Sequence, residues 1–356
     1  MTPFDFRPRT RVVFGQGEFN RLGELAREIG AARSVVVGDA GIASAGYLHQ
    51  AVRSLKARRV DAVAFDQFQA DPTVDMVEAA HGFAQSQNPD LIVAVGGRSS
   101  LNLAKALNVV LCCGGSIRDY WGYGNVSKAL LPLIAVPTTC GSEAQTITTI
   151  FDSSDRSRHT CGDPKLAHKL AILDPNLLHS QPAALAAASG FSAIATAWES
   201  LHSSRRNMLS ESLAREAWFL QNQAYERSVA YPNDNEAKGA LLWSAYLAGT
   251  ALEYSSPAAI HACAKPLMDD FHLSDGAAGA ILLAPVLAHE QEPAEVTQRL
   301  QHLAEVAGLQ TSLRAAGVPE SALSRLADKA AAQWSAKFST PPLNAEAALE
   351  IYRSAW

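Results

Sequence analysis

Two short stretches hold side chains whose types and spacing could do chemistry. In AVGGRSSLNLAK (94–105), an apolar run ends at Gly96 and Gly97 and passes directly into a helical pattern. Glycines there remove the Cβ atoms that would hold a ligand off the backbone, and a helix start offers unsatisfied N–H groups to an anion. Ser99 and Ser100 are placed to cap that helix or to contact a phosphate. Asp39 closes an earlier apolar run, SVVVGD (34–39). A carboxylate there can accept hydrogen bonds from adenosine ribose hydroxyls and repels a 2′-phosphate, so it favours NAD over NADP. The plainer readings are a tight turn at 96–97 and a cap at Asp39 for a helix starting near Ile42. In IHACAKPLMDD (260–270), Lys265 follows His261 by one helical turn. Groups of these types can move a proton and stabilise negative charge. Alternatively, Lys265 forms a salt bridge to Asp275 or Asp269, and His261 is a hydrogen-bonded cleft residue.

The elements that must position these groups fall into two halves. SVVVGD (34–39), VDAVAF (60–65), DLIVAVGG (90–97) and LPLIAVPTT (131–139) are Val- and Ile-rich runs separated by amphipathic stretches such as EFNRLGELAREIG and TVDMVEAAHGFAQSQ. That alternation predicts an α/β domain with a Rossmann-like parallel sheet covered on both faces, binding ligands at the carboxyl ends of its strands. From Pro182 onward the sequence is Ala- and Leu-rich with helical periodicity. We therefore expect a dinucleotide-binding α/β domain over 1–176 and an all-α domain over 177–356, with Asp174-Pro175 as a hinge.

Composition excludes several classes. Charged residues make up 18%, the net charge is −5, and the densest basic cluster, Lys56-Ala57-Arg58-Arg59, sits at a helix end, so no nucleic-acid partner is expected. No apolar run reaches the ~18–20 residues needed to span a bilayer, and the first residues lack the apolar core of a signal peptide. The five cysteines show no C-x-x-C spacing and read as reduced thiols. Together these predict a cytoplasmic protein with no nucleic-acid or membrane partner; a small-molecule substrate and a homo-oligomer, a dimer, are the further expectations.

In order along the chain, RVVFGQGEFNRLG, VVVGDAGIASAG, AVGGRSSLNLAKAL, IRDYWGYGNVSKALLPLIAVPTTCGSEA, GDPKLAHKLAILDPNLLHSQPAALAAASGFSAIATAWES and NAEAALEIYRSAW resemble the iron-containing (group III) alcohol dehydrogenase superfamily. That superfamily, with its dehydroquinate synthase-like fold, includes glycerol dehydrogenases and maleylacetate reductases. The resemblance implies an N-terminal hairpin at RVVFGQGEFNRLG and an active-site cleft between the two domains. By position, Asp39 would meet the adenosine ribose, Gly96, Gly97 and Ser99 the pyrophosphate, and Thr138 and Thr139 would lie near the cofactor. Arg98 stands where the family has a third glycine, either crowding the pyrophosphate or pairing with it. Asn102 replaces an aspartate, and the turn TTCGSEAQ matches the family's G-S-E only with a gap or with loss of the glutamate.

The resemblance also implies where a metal would sit. Metal-dependent members use an Asp and a His four residues apart on one helix and two later histidines; the corresponding residues here are Ser192, Thr196, His261 and Asp275. Hydroxyls bind divalent ions feebly, and an ammonium at Lys265 would repel one. No catalytic metal is therefore expected. Likeness to the maleylacetate reductases at RSRHTCGDPKL implies that Arg158 and Lys265 form a cationic site for an anionic substrate. Ser192, Thr196 and Asp275 would then line that substrate site, with His261 and Lys265 as catalytic groups. The expected function is metal-independent, NAD(P)H-dependent interconversion of a small anionic carbonyl compound and its alcohol. The alternatives are a non-redox elimination, cyclisation or isomerisation on the same scaffold, or a nucleotide-binding pseudoenzyme.

Overall fold

The strand Leu91–Gly96 is buried along its whole length, as a strand flanked on both sides and covered on both faces must be. The computed structural model that contains it describes residues 2–141, 145–155 and 157–356. The chain divides into two units, one of Phe6–Thr139 with Ala144–Ser180, the other of Met1–Asp5, Cys140–Glu143 and Gln181–Trp356.

In the first unit the strands and helices are β1 (Arg11–Phe14), α1 (Leu22–Glu28), β2 (Arg33–Val37), α2 (Ala40–Ser44), α3 (Tyr47–Ala57), β3 (Asp61–Phe65), α4 (Val74–Gln87), β4 (Leu91–Gly96) and α5 (Arg98–Cys113). They continue with β5 (Gly122–Tyr123), β6 (Leu133–Pro137), β7 (Ile147–Asp152), β8 (Ser157–Gly162) and β9 (Leu170–Leu173). Six strands form one sheet in the order β1-β9-β6-β4-β2-β3, and every pairing in it is parallel. The chain runs from β2 outward to β3 and returns on the other side of β2 as β4. That reversal makes the crevice at the carboxyl ends of β2 and β4 the ligand site of such a sheet. Val36, Leu91, Val93, Val95, Ile134 and Ile172 pack on Leu22, Leu25, Leu48 and Leu55 to form the core.

One expectation changes. Arg11–Phe14, expected to open a hairpin, pairs in parallel with β9 instead. The chain then makes a helical turn, Glu18–Arg21, which buries Phe19, and the Phe19 N–H donates to Asp174 Oδ2 at 3.1 Å. Asp174 also accepts from the Asn176 N–H at 3.0 Å and is buried, so two hydrogen bonds hold the Asp174-Pro175 turn. A second sheet, β5-β8-β7, was not legible in the sequence. Its antiparallel strands ITTIFD and SRHTCG mix polar and apolar residues and carry no long apolar run.

The second unit is helical: α6 (Ala183–His202), α7 (Met208–Ala230), α8 (Asn235–Glu253), α9 (Ala259–Phe271), α10 (Asp275–His289), α11 (Ala294–Val306), α12 (Leu323–Ala331) and α13 (Ala345–Ala355). α6 packs against α7, α8 and α10. α10 meets α6 backbone to backbone: a Cβ on Gly276 would lie 1.9 Å from the Ala188 carbonyl oxygen. No side chain fits there, so α10 must shift if one is added. Gly276→Ala is expected to lower unfolding stability by about 1–3 kcal/mol, the usual range for overpacking. An unchanged denaturant midpoint would show that the two helices are not in close contact.

Candidate active site

The nucleotide turn is built by β4 and α5. Gly96 has φ 145°, a conformation that side chains disfavour, and a Cβ on it would come within 2.2 Å of Ser100 Oγ. A Cβ on Gly97 would lie 2.9 Å from Thr139 Cγ2. Gly97 caps α5 without a side-chain hydrogen bond, so the first N–H groups of a long helix face the turn, as anion binding requires. Thr138 is buried and its N–H donates to the Gly96 carbonyl at 3.0 Å, fixing the end of β6 beside the turn. Arg98 occupies the first position of α5 with its side chain exposed. Ser99 Oγ accepts from the Asp71 N–H at 3.2 Å. Asp39 comes just after β2, on the other side of the switch point, and its Oδ1 accepts from the Ile42 N–H at 3.0 Å. It is therefore a helix cap.

Arg158 lies on β8, outside the main sheet. Its guanidinium donates to Asp71 Oδ2 at 2.8 Å and stands 5.8 Å from the Phe151 ring. Through Asp71 it is linked to Ser99. Residues 142–144 of the irregular threonine-rich turn lie outside the described residues.

In the helical unit, Ser192 and Asp275 are brought together: the buried Ser192 hydroxyl donates to Asp275 Oδ2. Thr196 Oγ1 donates to the Ser192 carbonyl at 2.9 Å. Asp275 begins α10, where its charge favours the helix dipole. Lys265 pairs with Asp269 one turn along α9, Nζ to Oδ2 at 2.5 Å. Of the two partners weighed from sequence, the geometry selects Asp269. His261 is half-buried in the first turn of α9, its ring 6.2 Å from that of Trp334.

These residues do not fit the iron centre of the superfamily. A divalent ion exchanges its water for several anionic or imidazole donors. Here the four positions offer one imidazole and one carboxylate, and that carboxylate already accepts a hydrogen bond from the Ser192 hydroxyl. Among the described residues, no group of three or more His, Cys, Asp or Glu is arranged to hold a metal.

Two residues of this region were missed from sequence. Glu199, the only Asp, Glu, Lys or Arg in α6, is buried, and its Oε1 accepts from the N–H groups of Ala258 and His261 at 2.7 Å each. A lone acid in an apolar helix was the available signal. Trp334 lies far from His261 in sequence and gave none.

Comparison with known proteins agrees with the fold. Residues 8–175 match the pattern described as iron-containing alcohol dehydrogenase, and residues 186–305 match the C-terminal pattern of the Fe-containing alcohol dehydrogenase family. The NAD-dependent methanol dehydrogenase of Bacillus methanolicus is 29% identical over 86% of this chain and 80% of its own length. A crystal structure of 1,3-propanediol oxidoreductase superposes with a TM-score of 0.95 at 22% identity, covering 99% of this chain and 100% of that one. Sulfoacetaldehyde reductase from Bifidobacterium kashiwanohense, solved with NAD+, gives 0.90 at 21% identity over 100% and 99% of the two chains. The fold and its nucleotide turn define an alcohol dehydrogenase-like oxidoreductase. The chain belongs to the iron-containing alcohol dehydrogenase family. Among the described residues no helix is long and apolar enough to cross a membrane.

Burial pushes the Glu199 carboxyl up from its ordinary 4.5 to about 7, with Asp275 and Glu290 adding to the effect against the two N–H donors. Between those values the folded state holds a proton that the unfolded state has released, so stability falls as pH rises from 4.5 to about 7. Glu199→Gln is expected to flatten that slope in thermal melts across the window. A slope identical in the variant would show that Glu199 is not its source.

Proposed function

We propose that this chain interconverts a small carbonyl compound and its alcohol, using NAD and no catalytic metal. The observation that carries the reading is the hydrogen bond from Ser192 to Asp275, which joins two of the family's ligand positions to each other. Gly96, Gly97, Ser99 and the start of α5 hold the pyrophosphate, with Thr138 and Thr139 alongside. Asp39 receives the adenosine ribose and disfavours a 2′-phosphate. When bound, the nicotinamide supplies or accepts the hydride. His261 gives a ring proton to the carbonyl oxygen as negative charge develops there, and recovers it in the reverse direction.

The charge balance bears on substrate choice. Lys265 and Arg158 each carry a carboxylate partner, Asp269 and Asp71. An anionic substrate drawn to either cation would have to displace that cation's own partner, so neither favours a charged carbonyl over a neutral one. The relatives named above include enzymes for both, methanol being neutral and sulfoacetaldehyde anionic.

EDTA-dialysed enzyme is expected to consume NADH with propionaldehyde at least as efficiently as with glyoxylate, and to gain nothing from added iron or zinc. Activity that returns only with metal would overturn the metal-free reading. His261→Ala should lower kcat by about 10²–10⁴-fold, the usual contribution of general acid catalysis, with NADH affinity unchanged. A wild-type kcat in that variant would remove His261 from the chemistry.

A further inference from the structure

Glu199 does for α9 what no residue of α9 does for itself. At a helix start the first N–H groups lack partners, and a capping box satisfies those of the N-cap and third positions with two side chains. In α9 these positions are Ala258 and His261, and Ala258 has no side chain that can accept. A single oxygen, Glu199 Oε1, reaches over from α6 and takes both N–H groups at 2.7 Å. The helix is pinned further along by the buried Tyr352 hydroxyl, which donates to the Cys263 carbonyl at 2.6 Å. Beside it, Pro266 supplies no N–H to the Ala262 carbonyl, so the helical ladder is interrupted at that point. The first turn of α9 is thus held from outside, at the residue expected to move the proton.

We infer that Glu199 is the positioning residue for His261, setting the backbone from which the imidazole projects. This rests on the proton-donor role proposed above. The feature that matters is the acceptor oxygen, and a glutamine retains one.

The full chain and its Glu199→Gln, Glu199→Ala and His261→Ala variants would be compared in three ways. These are amide deuterium exchange over 258–261, carbethoxylation of His261 by diethyl pyrocarbonate, and steady-state turnover of propionaldehyde with NADH. Glu199→Gln should track the wild type in all three. Glu199→Ala should speed exchange at 258 and 261, alter the carbethoxylation rate, and lower kcat on the order of 10²-fold, the scale of a small misplacement, while KM and NADH affinity hold. Should Glu199→Ala not fold, Glu199→Asp withdraws the oxygen by one methylene and serves in its place. Wild-type exchange and kcat in Glu199→Ala would overturn the inference, as would equal damage in Glu199→Gln. If His261→Ala alone turns over normally, the proton-donor reading falls, and exchange with carbethoxylation decides whether Glu199 anchors the turn.

Discussion

The close approach of α10 to α6 is the constraint on which the helical unit's candidate site depends. Because residue 276 is glycine, the start of α10 can rest against the Ala188 carbonyl. That contact places Asp275 where the Ser192 hydroxyl can reach it. The hydrogen bond joins two positions that relatives of this fold are expected to use for a cation. A hydrogen bond of this kind needs no ion to hold the helices in register. Thr196 and Ser200, each donating to a carbonyl one turn back, keep the hydroxyls on that face of α6 occupied within the helix.

Charge is balanced locally in both units. Lys265 meets Asp269, Arg158 meets Asp71, and Asp270 takes both Arg325 and Lys329. Glu199 is held differently, buried in α6 with two backbone N–H donors aimed at one of its oxygens. A buried carboxylate costs free energy unless it is hydrogen-bonded. Its place in an otherwise apolar helix is explained by the two α9 donors, which would be costly to leave buried alone.

The parallel sheet was legible because its strands are buried on both faces and so appear as continuous Val/Ile runs: the four runs at 34–39, 60–65, 90–97 and 131–139 correspond to β2, β3, β4 and β6. The Gly96–Gly97 turn was legible for a related reason, since a strand end, two glycines and a helix start are adjacent in sequence. β7 and β8 were not, because their pairing is antiparallel and local and polar residues interrupt their few apolar ones. The partner of β1 was misread, because only the distant β9 decides it.

Sequence by itself determined which side chains are present: hydroxyls at 192 and 196, one imidazole at 261, an ammonium at 265, and a helical period that puts Lys265 within reach of Asp269. It left open whether Lys265 faces Asp269 or Asp275, whether Asp39 caps a helix, and what holds His261. Tertiary structure decided those. The selection of Asp269 by Lys265, the capping of α2 by Asp39 and the anchoring of α9 by Glu199 are all short-range hydrogen bonds. Such bonds depend on distances of a few tenths of an ångström, which residue types and spacing along the chain do not specify.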